Sequence, residues 1–436
     1  MKNASLSSLR VSRWVAVLAL TTVSYGCAEG PSRPDAADGG AGTVTGGGSG
    51  TGAGGVATAT GGSISGGGGS GAGGATTMGG SAGSGAASGA AGRATGSAAD
   101  MAADMAFGVN IGNTLENTAA WETGWGQPVI SREFIRGMAE NGIKTIRLPV
   151  AWDTYAENGV IPLDKMARVH EVVAWILDAG MYCIVNIHWD GGWIRSDGTS
   201  SRYRLTDDVR GKFRSYWQQI AGEFAVVGDH LVFEALNEEG EFYVDGNKDG
   251  GRRDYEPLNE LNQSFVDTVR AAGGSNESRA LLVAGFVTDI AATCVNQFVV
   301  PVDPAGGGRL FLSIHYYTPF PFTLMSEPED FGGLVYPETT WGTPEEQAEL
   351  AVLFEKLAAF SRNRNIPAVI GEFTVTTGSG DYVRQSASRV RWLRAVSETA
   401  MSHGMVPVLW DTGEDIRRSD GSLSSDLRAV MSQLGF

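Results

Sequence analysis

Eight short apolar runs recur between residues 107 and 410 of this 436-residue chain, at 107–111, 145–150, 183–189, 231–237, 280–286, 310–317, 368–373 and 406–410. Longer stretches of mixed polarity separate them. Runs of this length suit strands buried on both faces, and the stretches between suit helices laid over them. The alternation therefore predicts repeated βα units around a parallel sheet. One stretch shows the helical period directly: Met166, Val169, Val172, Val173 and Ile176 recur at helical spacing, and Gly180 follows as a stop. Another opens on Thr343-Pro344-Glu345-Glu346, which supplies a hydroxyl cap, a proline at the first helical position and a glutamate three residues after the cap. Eight such units in the segment 100–436 predict an α/β fold, a (β/α)8 TIM barrel, with its functional groups at the C-terminal ends of the strands.

The chain ahead of the barrel is of another kind. Residues 28–99 are dominated by Gly, Ser, Ala and Thr, with almost no large apolar side chain. Burial cannot offset the entropy of ordering such a segment, which is expected to be a flexible linker spanning on the order of 45 Å. Within residues 1–27, Lys2, Arg10 and Arg13 precede the short apolar stretch 14–23, the pattern of an export signal and too short to span a bilayer. Ser24-Tyr25-Gly26-Cys27 resembles a bacterial lipoprotein cleavage box with Cys27 as the lipidated residue, although Leu is usual where Ser24 stands. Secretion and a lipid anchor at the bacterial cell surface both stay open.

The formal net charge of −16, with no Lys/Arg cluster, excludes a nucleic-acid partner and suits action on a neutral polymer. The cysteines, Cys27, Cys183 and Cys294, show no metal-ligand spacing, so no metal or cofactor is expected. A Cys183–Cys294 disulfide is left open, because its geometry is not legible in sequence. The chain is expected to act as a monomer.

Polar residues gather where a barrel places its chemistry: Arg147 near the end of the second run, His188 in the third, Asn237 and Glu238 at the fourth, His315 and Tyr317 in the sixth, Glu372 in the seventh and Trp410 ending the eighth. A carboxylate among apolar strand residues is costly to bury without a reason, and Glu372 sits in Val369-Ile370-Gly371-Glu372-Phe373. One such glutamate could equally be a buried partner for an arginine. Two, on strands four and seven facing each other across a barrel, match the pair of carboxyl groups that glycoside hydrolysis requires, and a gap of roughly 5–5.5 Å between them means retention of configuration.

The chain from about residue 105 onward resembles glycoside hydrolase family 5, the cellulase family. The segments that carry the resemblance are Gly108-Val109-Asn110-Ile111-Gly112-Asn113-Thr114-Leu115, Trp125-Gly126-Gln127-Pro128, Ile146-Arg147-Leu148-Pro149-Val150, Asn186-Ile187-His188-Trp189-Asp190, Leu236-Asn237-Glu238, His315-Tyr316-Tyr317, Ile370-Gly371-Glu372-Phe373 and Leu409-Trp410-Asp411. The resemblance implies a retaining endo-β-1,4-glucanase acting on a plant cell-wall β-glycan. In it Glu238 serves as general acid/base, holding a proton in the free enzyme, and Glu372 is the nucleophile, kept ionised by Arg147 and oriented by Tyr317. It also implies that Asn237 bonds the sugar 2-hydroxyl and that His188 and His315 hold substrate or the glutamates. Two features depart from the family pattern: Glu239 stands where proline is common, and His188 is followed by Trp189 rather than by a second histidine. Glu239 is expected to be a solvated or ion-paired loop residue.

Sugar rings present apolar C–H faces that stack on aromatic side chains. Trp410 is the first candidate for that role, followed by Trp189, Trp193 and Trp341 in predicted loops, with Asn113 as a polar contact. Trp121, Trp125 and Trp152 are weaker candidates, whereas Trp175 and Trp392 on helices are assigned to packing. His170, His230 and His403 are assigned structural or surface places. Mannanase, xyloglucanase and mixed-linkage glucanase are alternatives within the class, since they differ in pocket contacts. A non-catalytic glycan-binding barrel and a metal-dependent barrel hydrolase are the readings outside it.

Overall fold

The computed structural model describes residues 96–194, 204–244, 252–306 and 308–436. The expected export signal and all but the last residues of the expected linker lie outside them. All eight apolar runs contain strands: β1 Gly108–Asn110, β2 Thr145–Leu148, β3 Tyr182–Asn186, β4 Leu231–Glu234, β5 Leu281–Ala284, β6 Leu310–His315, β7 Ala368–Glu372 and β8 Val406–Leu409. They pair in parallel, each with the next, and β8 returns to β1 to close a barrel. Several strands are shorter than their runs, because apolarity marks burial rather than ladder pairing. In this ring β4 and β7 are three places apart with β5 and β6 between them, not directly opposed as expected from sequence.

Helices follow most strands: α2 Arg132–Glu140, α3 Leu163–Asp178, α4 Asp207–Glu223, α5 Glu256–Ala271, α6 Pro344–Arg364, α7 Ser386–Ser402 and α8 Ser425–Leu434, while after β5 only the four-residue helix Ile290–Thr293 stands in that place. The two sequence-marked helices form as expected. Met166, Val169, Val172, Val173 and Ile176 are the buried face of α3. Thr343 and Glu346 close a reciprocal capping box at the start of α6.

Among the described residues, one helix has no strand before it. α1, Ala98–Met105, begins two residues ahead of the boundary expected at 100, and Ser97 and Asp100 form its capping box. Its Ala98, Met101, Ala102 and Met105 pack against Tyr182, Ile184, Val232, Leu282, Phe311 and Val369, which line the barrel near the N-terminal ends of their strands. The helix plugs the floor, so the polar interior groups lie at the other end. Cys183 is buried in β3, and neither it nor Cys294 is in a disulfide.

Candidate active site

Strand alternation decides which side chains enter the barrel. Ile146 and Leu148 of β2 and Phe233 of β4 join the outer core beneath the helices, which turns Arg147 and Glu234 inward. On β7 the same alternation should fail: Val369 belongs to the inner cluster and Ile370 to the outer one, so strict period two places Glu372 outside. A bulge reverses this. Ile314 pairs with Ile370 but His315 pairs with Glu372, so Gly371 is an extra residue on β7 and Glu372 turns into the barrel level with His315. A Cβ on Gly371 would lie 3.3 Å from His315 Nε2, which favours glycine there.

Arg147 is the centre of the resulting network and is fully buried. Its Nε donates to Glu234 Oε2 at 2.6 Å, Nη1 to Glu372 Oε1 at 2.8 Å and to Asn110 Oδ1 at 2.9 Å, and Nη2 to Asn237 Oδ1 at 2.8 Å. Burial alone would loosen its proton, but the Glu234 and Glu372 charges outweigh that and raise its pKa. Ser313 Oγ donates to the other Glu234 oxygen at 2.6 Å, so this buried carboxylate is bonded on both sides.

Glu372 accepts from Arg147 on Oε1 and from the Tyr317 hydroxyl on Oε2 at 2.9 Å. Burial raises its pKa above the ordinary carboxyl value, and the nearby Glu238 charge adds to this, while His315, Arg147 and the Tyr317 hydrogen bond pull it back. Both oxygens already accept from donors, an arrangement that fits the ionised form of an attacking group. Tyr317 stays a phenol: burial and then the two glutamate charges raise its pKa well above the ordinary value.

Glu238 differs in setting. Its side chain is 25 % exposed against 7 % for Glu372, and its Oε1 lies 2.8 Å from His315 Nδ1. The same nitrogen is 3.5 Å from Glu372 Oε2. One oxygen of each glutamate and this nitrogen lie within 4.8 Å of one another, so His315 bridges two carboxyl groups that face a common space.

The remaining expected residues divide. His188 stacks on Trp410 at 5.8 Å between ring centroids and 8° between planes, and its Nδ1 lies 3.3 Å from Asn186 Nδ2. Burial first, then the Arg147 and His315 charges, lowers its pKa and keeps it neutral. It touches Trp410 rather than Glu238 or Glu372. Trp410 is partly exposed and lies over Gly112, where a Cβ would come within 2.9 Å of the ring. Asn113, at positive φ, and Thr114 donate their backbone N–H groups to buried Glu116, whose carboxyl burial pushes up to about 7. Trp189 is partly exposed beyond β3.

Trp341 and Trp193 correct the sequence reading. Trp341 is only 3 % exposed and belongs to the core. Trp193, 8 % exposed, packs edge-on against Tyr216 beneath Lys212. Neither ring offers a free face to a sugar. Trp152 and Trp121 are also buried, whereas Trp125 is 40 % exposed on the loop after β1. Glu239 is buried rather than solvated. His170 pairs with Glu223, His230 stacks on Tyr182 and His403 caps α7, all outside this network.

Sequence reasoning missed Glu234 and Asn110. Glu234 carried the signal used for Glu372, a carboxylate inside an apolar run. Asn110 holds the bulge: its Nδ2 donates to Gly371 O at 2.8 Å.

Comparison with known proteins agrees with this geometry. The cellulase model, glycosyl hydrolase family 5, matches residues 106–415. Endoglucanase A of Paenibacillus barcinonensis is 32 % identical over 320 residues, covering 67 % of this chain and 76 % of that protein. A xyloglucan-specific endo-β-1,4-glucanase of Bacteroides ovatus is 32 % identical over 302 residues, covering 67 % of this chain but only 59 % of its own length. Among solved structures, a broad-specificity endoglucanase from an uncultured bovine rumen ciliate superposes with a TM-score of 0.68 at 32 % identity, covering 78 % of this chain and 99 % of that one. With the barrel, the paired glutamates and the family match in agreement, the chain belongs to glycosyl hydrolase family 5, the cellulase family, and is a glycoside hydrolase.

Proposed function

We propose that the chain is a retaining endo-β-1,4-glucanase working by double displacement. The observation that carries this reading is the close approach of Glu238 and Glu372, with carboxylate oxygens within 4.8 Å across His315. Inverting enzymes hold their carboxyl groups roughly 6.5–9.5 Å apart to admit a water, and the close approach of these oxygens supports the shorter, retaining arrangement. Glu372 attacks the anomeric carbon while Glu238 protonates the departing glycosidic oxygen, giving a covalent glycosyl-enzyme. Glu238 then takes a proton from water, which displaces Glu372. Tyr317 and Arg147 hold the nucleophile in place. Asn237, its oxygen taken by Arg147, has its amide N–H groups available for the sugar 2-hydroxyl. Partly exposed Trp410 offers a stacking face for the sugar beside the cleaved bond.

The names of the relatives support β-1,4-glucan as substrate, and the Bacteroides ovatus relative favours xyloglucan as a second reading. Release of reducing ends from carboxymethylcellulose, lichenan, xyloglucan, glucomannan and xylan separates these. The first reading expects strong activity on carboxymethylcellulose and lichenan; activity confined to xyloglucan selects the second, and activity on xylan alone overturns both. The basic residues, apolar stretch and Cys27 near the start of the sequence support export from a bacterium and a lipid-tethered barrel. Under that reading Cys27→Ser moves the protein from the membrane fraction into the medium, and an unchanged distribution contradicts the anchor.

A further inference from the structure

The backbone after β5 is strained where it meets the acid/base loop. Val287 has φ +47° and Thr288 φ +53°, two consecutive β-branched residues in the left-handed region. A branched Cβ crowds the backbone in that conformation, so such residues persist only where the surroundings impose it. Both side chains are buried, and Thr288 Oγ1 closes a local bond to Val287 O at 2.7 Å.

The kink aims the Val287 N–H at Glu239 O, 2.8 Å away. Glu239 follows the acid/base directly. The approach is tight: at Gly240, φ +111°, a Cβ would lie 3.3 Å from Val287 N and 3.4 Å from Phe286 Cα. Among the described residues, the Glu238 carboxyl itself hydrogen-bonds only to His315. Its place therefore depends on the backbone beneath it, and that backbone is held from β5.

We propose that the left-handed Val287–Thr288 step positions the acid/base, clamping the Glu239 carbonyl so that the Glu238 carboxyl stays against His315. Strain at these residues is retained because relaxing the kink would withdraw the N–H from the Glu238 loop. Val287 and Thr288 are positioning residues that do not touch substrate, and the inference rests on the assignment of Glu238 given above.

The test compares a leaving group that needs a proton with one that does not. Val287→Pro holds φ at about −65° and has no N–H, so it removes the bond to Glu239 O, whereas Val287→Gly loses the side chain but keeps the N–H and accepts a positive φ. Each is assayed as kcat/KM on cellotetraose and on 2,4-dinitrophenyl β-cellobioside, whose leaving group departs without protonation. In Val287→Pro, the cellotetraose value is expected to fall by about tenfold or more, part of a full acid/base contribution, while the dinitrophenyl value stays within about twofold. Val287→Gly is expected to keep the parent's ratio of the two. Gly240→Ala, whose Cβ would press on Val287 N, gives the same comparison if the proline variant does not fold. A folded proline variant that keeps the parent's ratio, or that loses both activities in parallel, overturns the inference. Glu238→Ala sets the scale: if its own ratio is unchanged, the acid/base assignment fails rather than the positioning role.

Discussion

Glu372 sits where burial disfavours its charge, and this has a measurable consequence. Its pKa is raised in the folded chain, chiefly by burial. A raised carboxyl contributes stability that is fully present below its unfolded value, near 4.5, and lost as pH rises through the folded value. Glu372→Gln removes that loss. The melting temperature of the variant is expected to match the parent at pH 4 and exceed it increasingly toward pH 7, with hydrolysis abolished; a variant less stable than the parent at pH 7 contradicts this electrostatic account. Arg147 behaves oppositely. Replacing it with alanine strands Glu234 without a cation in the barrel interior, and denaturant unfolding is expected to show a loss of about 3–5 kcal/mol. For the aromatic residues, Trp410→Ala is expected to lower kcat/KM on both short and long substrates. Trp125→Ala should weaken only long ones, because Trp125 lies two residues before Gln127, which bonds Thr412 O just past Trp410. Equal losses from both variants on cellobiosides would contradict that division.

At the scale of elements, the bulge on β7 does what no residue does alone. It turns Glu372 from the outer face to the inner one and sets it beside His315. Gly371→Val would push a side chain into His315, and a misplacement near 1 Å at such a site costs on the order of 10²-fold in rate. Circular dichroism and kcat together check this: a near-native spectrum with that loss agrees, and full activity contradicts it. The bulge also marks the limit of what was legible in the sequence. Eight strands showed themselves as apolar runs, since burial on both faces leaves a compositional trace. Strict alternation would have placed Glu372 wrongly, and only its conspicuous charge within 368–373 singled it out. Glu234 has the same trace in 231–237, but composition does not distinguish a carboxylate that anchors Arg147 from one that faces the open end of the barrel. α1 escaped notice because Ala, Met and Asp at 98–105 continue smoothly from an Ala-rich segment. Trp193 and Trp341 were misplaced for a general reason: a loop position does not reveal which face of a ring neighbouring loops cover.

On the scale of the whole molecule, the barrel divides its ends between stability and chemistry. α1 closes the floor with Ala98, Met101, Ala102 and Met105, while the charged network of Arg147, Glu234, Glu238 and Glu372 lies toward the strand C-termini, away from that plug. No helix among the described residues is long and apolar enough to cross a membrane. Double displacement requires two carboxyl groups sharing one bond, and the stereochemistry of the first product reports on them directly. Proton NMR during the first turnovers on a cellooligosaccharide, before mutarotation, reads the new anomeric centre. The β-anomer appearing first is the predicted result; the α-anomer appearing first would mean that Glu372 never attacks carbon, contradicting the double displacement.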